Sequence, residues 1–218
     1  MENDQELTIK EAYQRIMALY PSLDYNHRKY LAPGFEKHPD YEEHISEEFR
    51  VRYVCFKAAV AAVIRPDSIL EIGVRGGVSA LAFLHALDDT NYLGIDNNLD
   101  AIQSGIDFRW NAEHWFRHFG FKARVFLQDS QLLESFPSCV LAHIDGDHSY
   151  EAVRHDVAAA WKGGSQWILC DDANDSAVVA GIFHALKFDL NRGSVDWVYF
   201  HDTWKGDILI RTDHRRDK

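Results

Sequence analysis

The stretch Ser68–Leu81, SILEIGVRGGVSAL, constrains this chain more than any other. An apolar run ends at Glu71, meets Gly73, Gly76 and Gly77, and then turns amphipathic. The pattern predicts a buried strand, a glycine turn and a helix start. Glycine has no Cβ and adopts positive φ freely, so backbone at such a turn can approach a small ligand closely. The helix N-terminus behind it offers unpaired N–H groups and partial positive charge. The expected occupant is a nucleoside-bearing cofactor at the carboxyl ends of a parallel sheet. A dinucleotide fingerprint requires glycine two residues after Gly73; Arg75 stands there, which argues against a pyrophosphate-hugging turn.

Beyond this turn the chain alternates strand and helix. Strands are expected near 68–72, 92–96, 123–127, 140–145 and 166–170, and helices near 77–87, 99–118, 149–162 and 176–187. Two more strands follow near 195–200 and 207–211. Such alternation predicts an α/β fold: a parallel sheet with helices on both faces. Upstream, a short helix is expected over 7–19 and an amphipathic one over Glu47–Ile64, where Phe49, Tyr53, Phe56, Val60 and Val63 recur at spacings of three and four. Residues 1–65 then form a helical extension and 66–218 the cofactor-binding domain.

With 218 residues, the chain can build one such domain and a modest extension. A net charge of −11 argues against nonspecific nucleic-acid binding, which needs Lys and Arg to neutralise phosphates. The basic run at 214–218 reads as a solvated tail. Cys55, Cys139 and Cys170 each lie in an apolar run and read as buried free thiols in a reducing compartment. There is no signal-type apolar segment and no run long enough to span a bilayer, so a cytoplasmic protein without a membrane partner is expected.

Two further strand ends carry acids. YLGIDNN ends its strand at Asp96, where a carboxylate can accept from ribose hydroxyls, and RVFLQDS ends at Asp129, where one can accept from an adenine amino group. Each acid alone could equally be a helix cap or a solvated turn. From about Asp67 onward the chain resembles the class I S-adenosylmethionine-dependent methyltransferases, closest to the metal-dependent O-methyltransferases of the catechol and sugar types. The resemblance implies a Rossmann-like, seven-stranded, mostly parallel sheet whose last strand lies antiparallel between its neighbours. It implies that Glu71, Gly73, Gly77, Ser79, Asp96 and Asp129 hold S-adenosyl-L-methionine. Glu71, Gly73 and Ser79 fall at the amino-acid end, Asp96 at the ribose and Asp129 near the adenine. It also implies that the extension covers the active site or forms a homodimer contact.

A second constellation lies in HIDGDHSYEAVRHD (His143–Asp156) and ILCDDAND (Ile168–Asp175). Both are strand ends on the edge that carries the cofactor turn, so Asp145 is expected to face Asp171 and Asp172. Like charges at ~4 Å with an effective dielectric of ~20 repel by roughly 4 kcal/mol. Either some hold protons or a cation sits among them. Carboxylate oxygens without Cys or His favour Mg²⁺, Mn²⁺ or Ca²⁺ over zinc. The resemblance makes Asp145, Asp171 and Asp172 the three metal ligands, with Mg²⁺ the natural ion, and puts His148 at the general-base position; Asp147 is a second candidate base. The bland alternative is that Asp147 or Ser149 caps the following helix. Adjacent strand residues point to opposite faces, so Asp171 and Asp172 can share an ion only if the strand has ended. The expected function is methyl transfer to a small-molecule hydroxyl: a vicinal diol, catechol or sugar. A non-catalytic nucleoside-binding module and an NAD-type oxidoreductase are the rival readings.

Overall fold

The computed structural model describes residues 7–212; the basic run at 214–218 lies outside them. One seven-stranded sheet forms the centre: β1 (Ser68–Ile72), β2 (Asn91–Asp96), β3 (Lys122–Leu127), β4 (Leu141–Ile144), β5 (Trp167–Cys170), β6 (Val195–Phe200) and β7 (Asp207–Thr212). Its order is β3-β2-β1-β4-β5-β7-β6. The first five strands run parallel, and β7 lies antiparallel to both β5 and β6. This is the expected Rossmann-like arrangement, including the reversed last strand. β1, β4 and β5 are buried almost along their whole length, as central strands covered on both faces must be.

The helices in chain order are α1 (Ile9–Leu19), α2 (Tyr41–His44), α3 (Glu47–Phe49), α4 (Phe56–Ile64), α5 (Val78–His85), α6 (Leu99–Ser104), α7 (Phe108–Phe119), α8 (Tyr150–Gly163), α9 (Ser176–Ala185) and α10 (Lys187–Arg192). A π-helical stretch, Arg50–Cys55, joins α3 to α4. The single helix expected over 99–118 is in fact two. Gly105 (φ 72°) ends α6 in the left-handed region, and the Asp107 side chain accepts from Trp110 N–H to start α7. Around 20–37 the chain makes only short 3₁₀ turns.

The N-terminal segment is packed onto the sheet domain. Ala12, Ile16, Tyr20 and Tyr30 share one apolar cluster with Phe56, Val60, Ile69 and Leu81. The three cysteines are buried and free. Among the described residues no helix is long and apolar enough to cross a membrane.

Candidate functional site

Register brings the site together. Glu71 pairs with His143 across β1 and β4, and Ile144 pairs with Cys170 across β4 and β5. The chain continues in step past the paired ends: Asp145 N–H donates to Ile72 O (2.9 Å) and Asp171 N–H to Ile144 O (3.1 Å). The residues following β1, β4 and β5 therefore emerge side by side at one sheet edge, where open α/β sheets bind ligands. They line a cavity of about 700 Å³ together with the ends of β2 and β3.

At its glycine-turn end, Gly73 has φ 85°, and a Cβ there would lie 2.0 Å from the Asp145 carbonyl oxygen. The turn and the end of β4 thus touch backbone to backbone. Gly73→Ala is expected to destabilise the fold by about 1–3 kcal/mol through overpacking, read from the denaturation midpoint, with weaker binding of S-adenosylhomocysteine. Asp96 is held by two backbone donors, Arg75 N–H (2.8 Å) and Asn98 N–H (2.6 Å), one on each oxygen. A carboxylate oxygen has a second lone pair, so both can still accept from hydroxyls. Asp129 also lines the cavity, and its carboxylate accepts from Gln131 N–H (3.0 Å), the turn-capping alternative.

Glu71 and Gly77 lie behind the cavity wall. Glu71 is fully buried and accepts from Ser79 Oγ, Tyr92 OH and the His143 ring (Nδ1, 2.9 Å). Ser79 reaches the cavity wall while donating inward to Glu71. Gly77 makes room for α7: a Cβ there would meet Ala112 Cβ at 2.9 Å.

Arg75 belongs to a clamp rather than to the turn alone. Its guanidinium lies over the rings of Phe35 and Phe108 (5.4 and 5.3 Å) and pairs with Asp40 (3.0 Å) and Asp100. It ties the N-terminal segment, whose Leu31, Phe35, His38 and Asp40 form part of the cavity wall, to the glycine turn.

The acids divide. β5 ends at Cys170 and Asp172 has φ 53°, so the strand has indeed stopped, but Asp171 and Asp172 still point to different partners. Asp171 is buried and its Oδ2 lies 3.3 Å from Lys57 Nζ; Asp172 Oδ2 lies 3.0 Å from His148 Nε2. His148 Nε2 is also 3.4 Å from Asp145 Oδ1, while Tyr53 OH donates to Asp145 Oδ2 (2.7 Å). Among the described residues the groups whose ligand atoms converge are Asp145–His148–Asp172 and His143–Asp145–Asp171. The three aspartates do not close on one point. Asp147 lines the cavity, but its carboxylate accepts from Ser149 N–H (2.8 Å), and Ser149 caps α8.

Pairing and burial oppose each other: burial raises the pKa of Asp171 and of Asp172 despite Lys57 and His148. The Asp145 hydrogen bond raises the His148 pKa, opposed by partial burial and helped by the charge of Asp172. Burial alone would raise Asp145, but His148, His143 and Lys57 hold it well below the usual carboxylate range. Burial works against the charge on Lys57, yet Asp171 and Asp207 hold its pKa above the ordinary value.

Sequence reasoning treated Tyr53 only as part of an apolar stripe and passed over Lys57. The available signal was a lysine inside the otherwise apolar FKAAVAAVI. Lys57 is completely buried and bridges Asp171 and Asp207.

Residues 70–173 match the family model described as a methyltransferase domain. Among curated protein sequences none matches. Of solved structures, the S-adenosylhomocysteine-bound methyltransferase PaMTH1 of Podospora anserina superposes with a TM-score of 0.62 at 15% identity, covering 94% of this chain and 97% of that one. The O-methyltransferase TomG of Streptomyces achromogenes, involved in tomaymycin synthesis and solved with S-adenosylmethionine, gives 0.60 at 14% identity, covering 97% and 99%. A putative caffeoyl-CoA O-methyltransferase from Staphylococcus aureus gives 0.55 at 12%, covering 83% and 91%. The resemblance read from the sequence to class I methyltransferases is borne out by the matched methyltransferase domain and the shared fold.

Proposed function

We propose that this chain, which carries a methyltransferase domain of the class I fold, moves a methyl group from S-adenosyl-L-methionine to a hydroxyl of a small molecule. The observation that carries the reading is one continuous cavity. It runs from the glycine turn and Asp96 to His148, which lies between Asp145 and Asp172. Its volume is in the range of small-molecule sites.

The residues present fit the cofactor. Gly73 leaves the turn without a side chain, and Asp96, fixed by two backbone donors, would accept from the ribose hydroxyls. Asp129 and Ser79 line the same cavity, where Asp129 would accept from the adenine amino group and Ser79 would stand at the amino-acid end. When bound, S-adenosylmethionine supplies an electrophilic methyl on a positively charged sulfur. What remains for the protein is orientation, which contributes up to roughly 7–11 kcal/mol in ideal cases, and removal of the hydroxyl proton. His148 Nε2 is the acceptor for that proton, and the resulting imidazolium lies against two carboxylates. Asp147, engaged with Ser149, is the lesser candidate.

A three-aspartate metal cage, the arrangement expected from the sequence, does not fit these side chains, because Asp171 is committed to Lys57. In the Asp145–His148–Asp172 set, an ion that took His148 as a ligand would remove it as a base. No step is therefore assigned to Mg²⁺.

S-adenosylhomocysteine at a hundredfold excess over Kd is expected to stabilise the fold by about 2.7 kcal/mol, read as a rise in Tm. NAD is expected to have no effect; a shift with NAD alone would favour an oxidoreductase. Turnover on a panel of vicinal diols, catechols and sugars then separates an enzyme from a bare binding module.

A further inference from the structure

We propose that the buried ammonium of Lys57, and not a divalent cation, supplies the positive charge at the acid cluster, so that this chain transfers methyl groups without a metal. The inference rests on the methyltransferase reading of the cavity. It starts from the oxygens of the three aspartates, which turn to different partners within this chain. Asp171 Oδ2 faces Lys57 Nζ (3.3 Å), and its Oδ1 accepts from Asp172 N–H (2.9 Å). Asp145 presents Oδ2 to Tyr53 OH (2.7 Å) and Oδ1 to His148 Nε2 (3.4 Å). Asp172 presents Oδ2 to His148 Nε2 (3.0 Å) and Oδ1 to Lys205 Nζ (4.0 Å). A divalent ion needs carboxylate oxygens free to aim at one shared point at about 2.0–2.6 Å, one or two of them for Mg²⁺ and more for Ca²⁺. Here Asp145 Oδ1 and Asp172 Oδ2 meet at the His148 ring, while Asp171 Oδ2 turns to Lys57.

Lys57 is built into this position. It lies four residues after Tyr53, across the junction of the π-helical stretch with α4, and both side chains project into the acids. π-helical turns inside helices are frequent at functional sites. Lys57 is fully buried and also pairs with Asp207 at the start of β7, so it cannot swing out to solvent to admit an ion. The other convergent group, His143–Asp145–Asp171, shares Asp171 with this ammonium; His143 bonds Glu71 through Nδ1 and keeps a buried Nε2 without a partner. Lys57 is thus a positioning residue: it fixes Asp171 and compensates charge beneath the reacting groups without touching them.

The test uses the full chain and the metal alone. Mn²⁺ at millimolar concentration, followed by the loss of its free electron-paramagnetic-resonance signal and by Tm, is expected to show no saturable binding and no shift. S-adenosylhomocysteine, run in parallel, still raises Tm. Turnover on the diol panel is expected to be equal with Mg²⁺ and with a chelator. Lys57→Met combined with Asp207→Asn removes the ammonium and one acid together, freeing Asp171; it is expected to gain at least about tenfold in Mn²⁺ affinity, or 1.4 kcal/mol. Saturable Mn²⁺ binding by the wild type that Asp171→Asn abolishes would overturn the proposal, as would turnover lost to the chelator. If the double variant does not fold, the wild-type titration decides alone. A missing Tm response to S-adenosylhomocysteine would instead sink the methyltransferase reading, and the Mn²⁺ result would still say whether the acids hold an ion.

Discussion

Lys57→Met should destabilise the protein by about 3–5 kcal/mol, the cost of removing one partner from a buried ionic group. Methionine matches the stem of lysine closely, so little of this is packing. What remains is electrostatic. Asp207 is buried with one carboxylate oxygen on Lys57 and the other, Oδ2, without a hydrogen-bond partner, and Asp171 is buried beside it. Without the ammonium both must either stay charged in a low dielectric or take up protons. The loss should therefore shrink as the pH is lowered, because protonation relieves it. Adding Asp207→Leu should recover part of the stability, since replacing both partners is milder than orphaning one. Urea denaturation at neutral and acid pH measures all of this. A single variant within about 0.5 kcal/mol of wild type, the range of ordinary surface changes, would mean that the pair is not a buried one.

The same lysine marks where the sequence stopped being readable. Period and punctuation placed the seven strands, because each apolar run is bounded by Gly, Pro or acid and the central ones are buried on both faces. Asp96, Asp129, Asp145 and Asp172 were legible because a residue just past a parallel strand must emerge at the ligand edge, whatever packs beneath. Glu71 was not legible as a buried group. Its partners Ser79, Tyr92 and His143 come from α5, β2 and β4, and only register across the sheet brings them together. The sequence argument did foresee that adjoining acids require protons or a cation. It did not identify that cation as Lys57, because a lysine 114 positions before Asp171 (171 − 57) carries no local pattern linking the two. The one clue was negative: a charge inside an apolar helix, where it has to find a partner. The break at Gly105 was similarly hidden, since 99–118 keeps a helical composition on either side of it.

His148→Gln should lower the rate of methyl transfer by roughly 10²–10⁴, the usual contribution of a positioned general base, while leaving the affinity for S-adenosylhomocysteine unchanged. Glutamine keeps a polar tip near Asp145 and Asp172 but cannot take a proton at working pH. The wild-type pH profile supplies the second readout. The hydrogen bond to Asp145 favours the protonated ring and raises the His148 pKa, so the neutral base forms only above the ordinary imidazole range near ~6.5. Activity should climb with pH through that raised value, and the glutamine variant should lose this limb. Stability has the opposite sign. A pKa raised on folding contributes stability that is complete below ~6.5 and is lost as pH rises through the folded value. His148 therefore gains competence as a base over the same pH window in which its ion pairs with Asp145 and Asp172 let go. A glutamine variant that keeps both the wild-type rate and the alkaline-rising limb would show that the proton leaves by another route, with Asp147 the next group to replace.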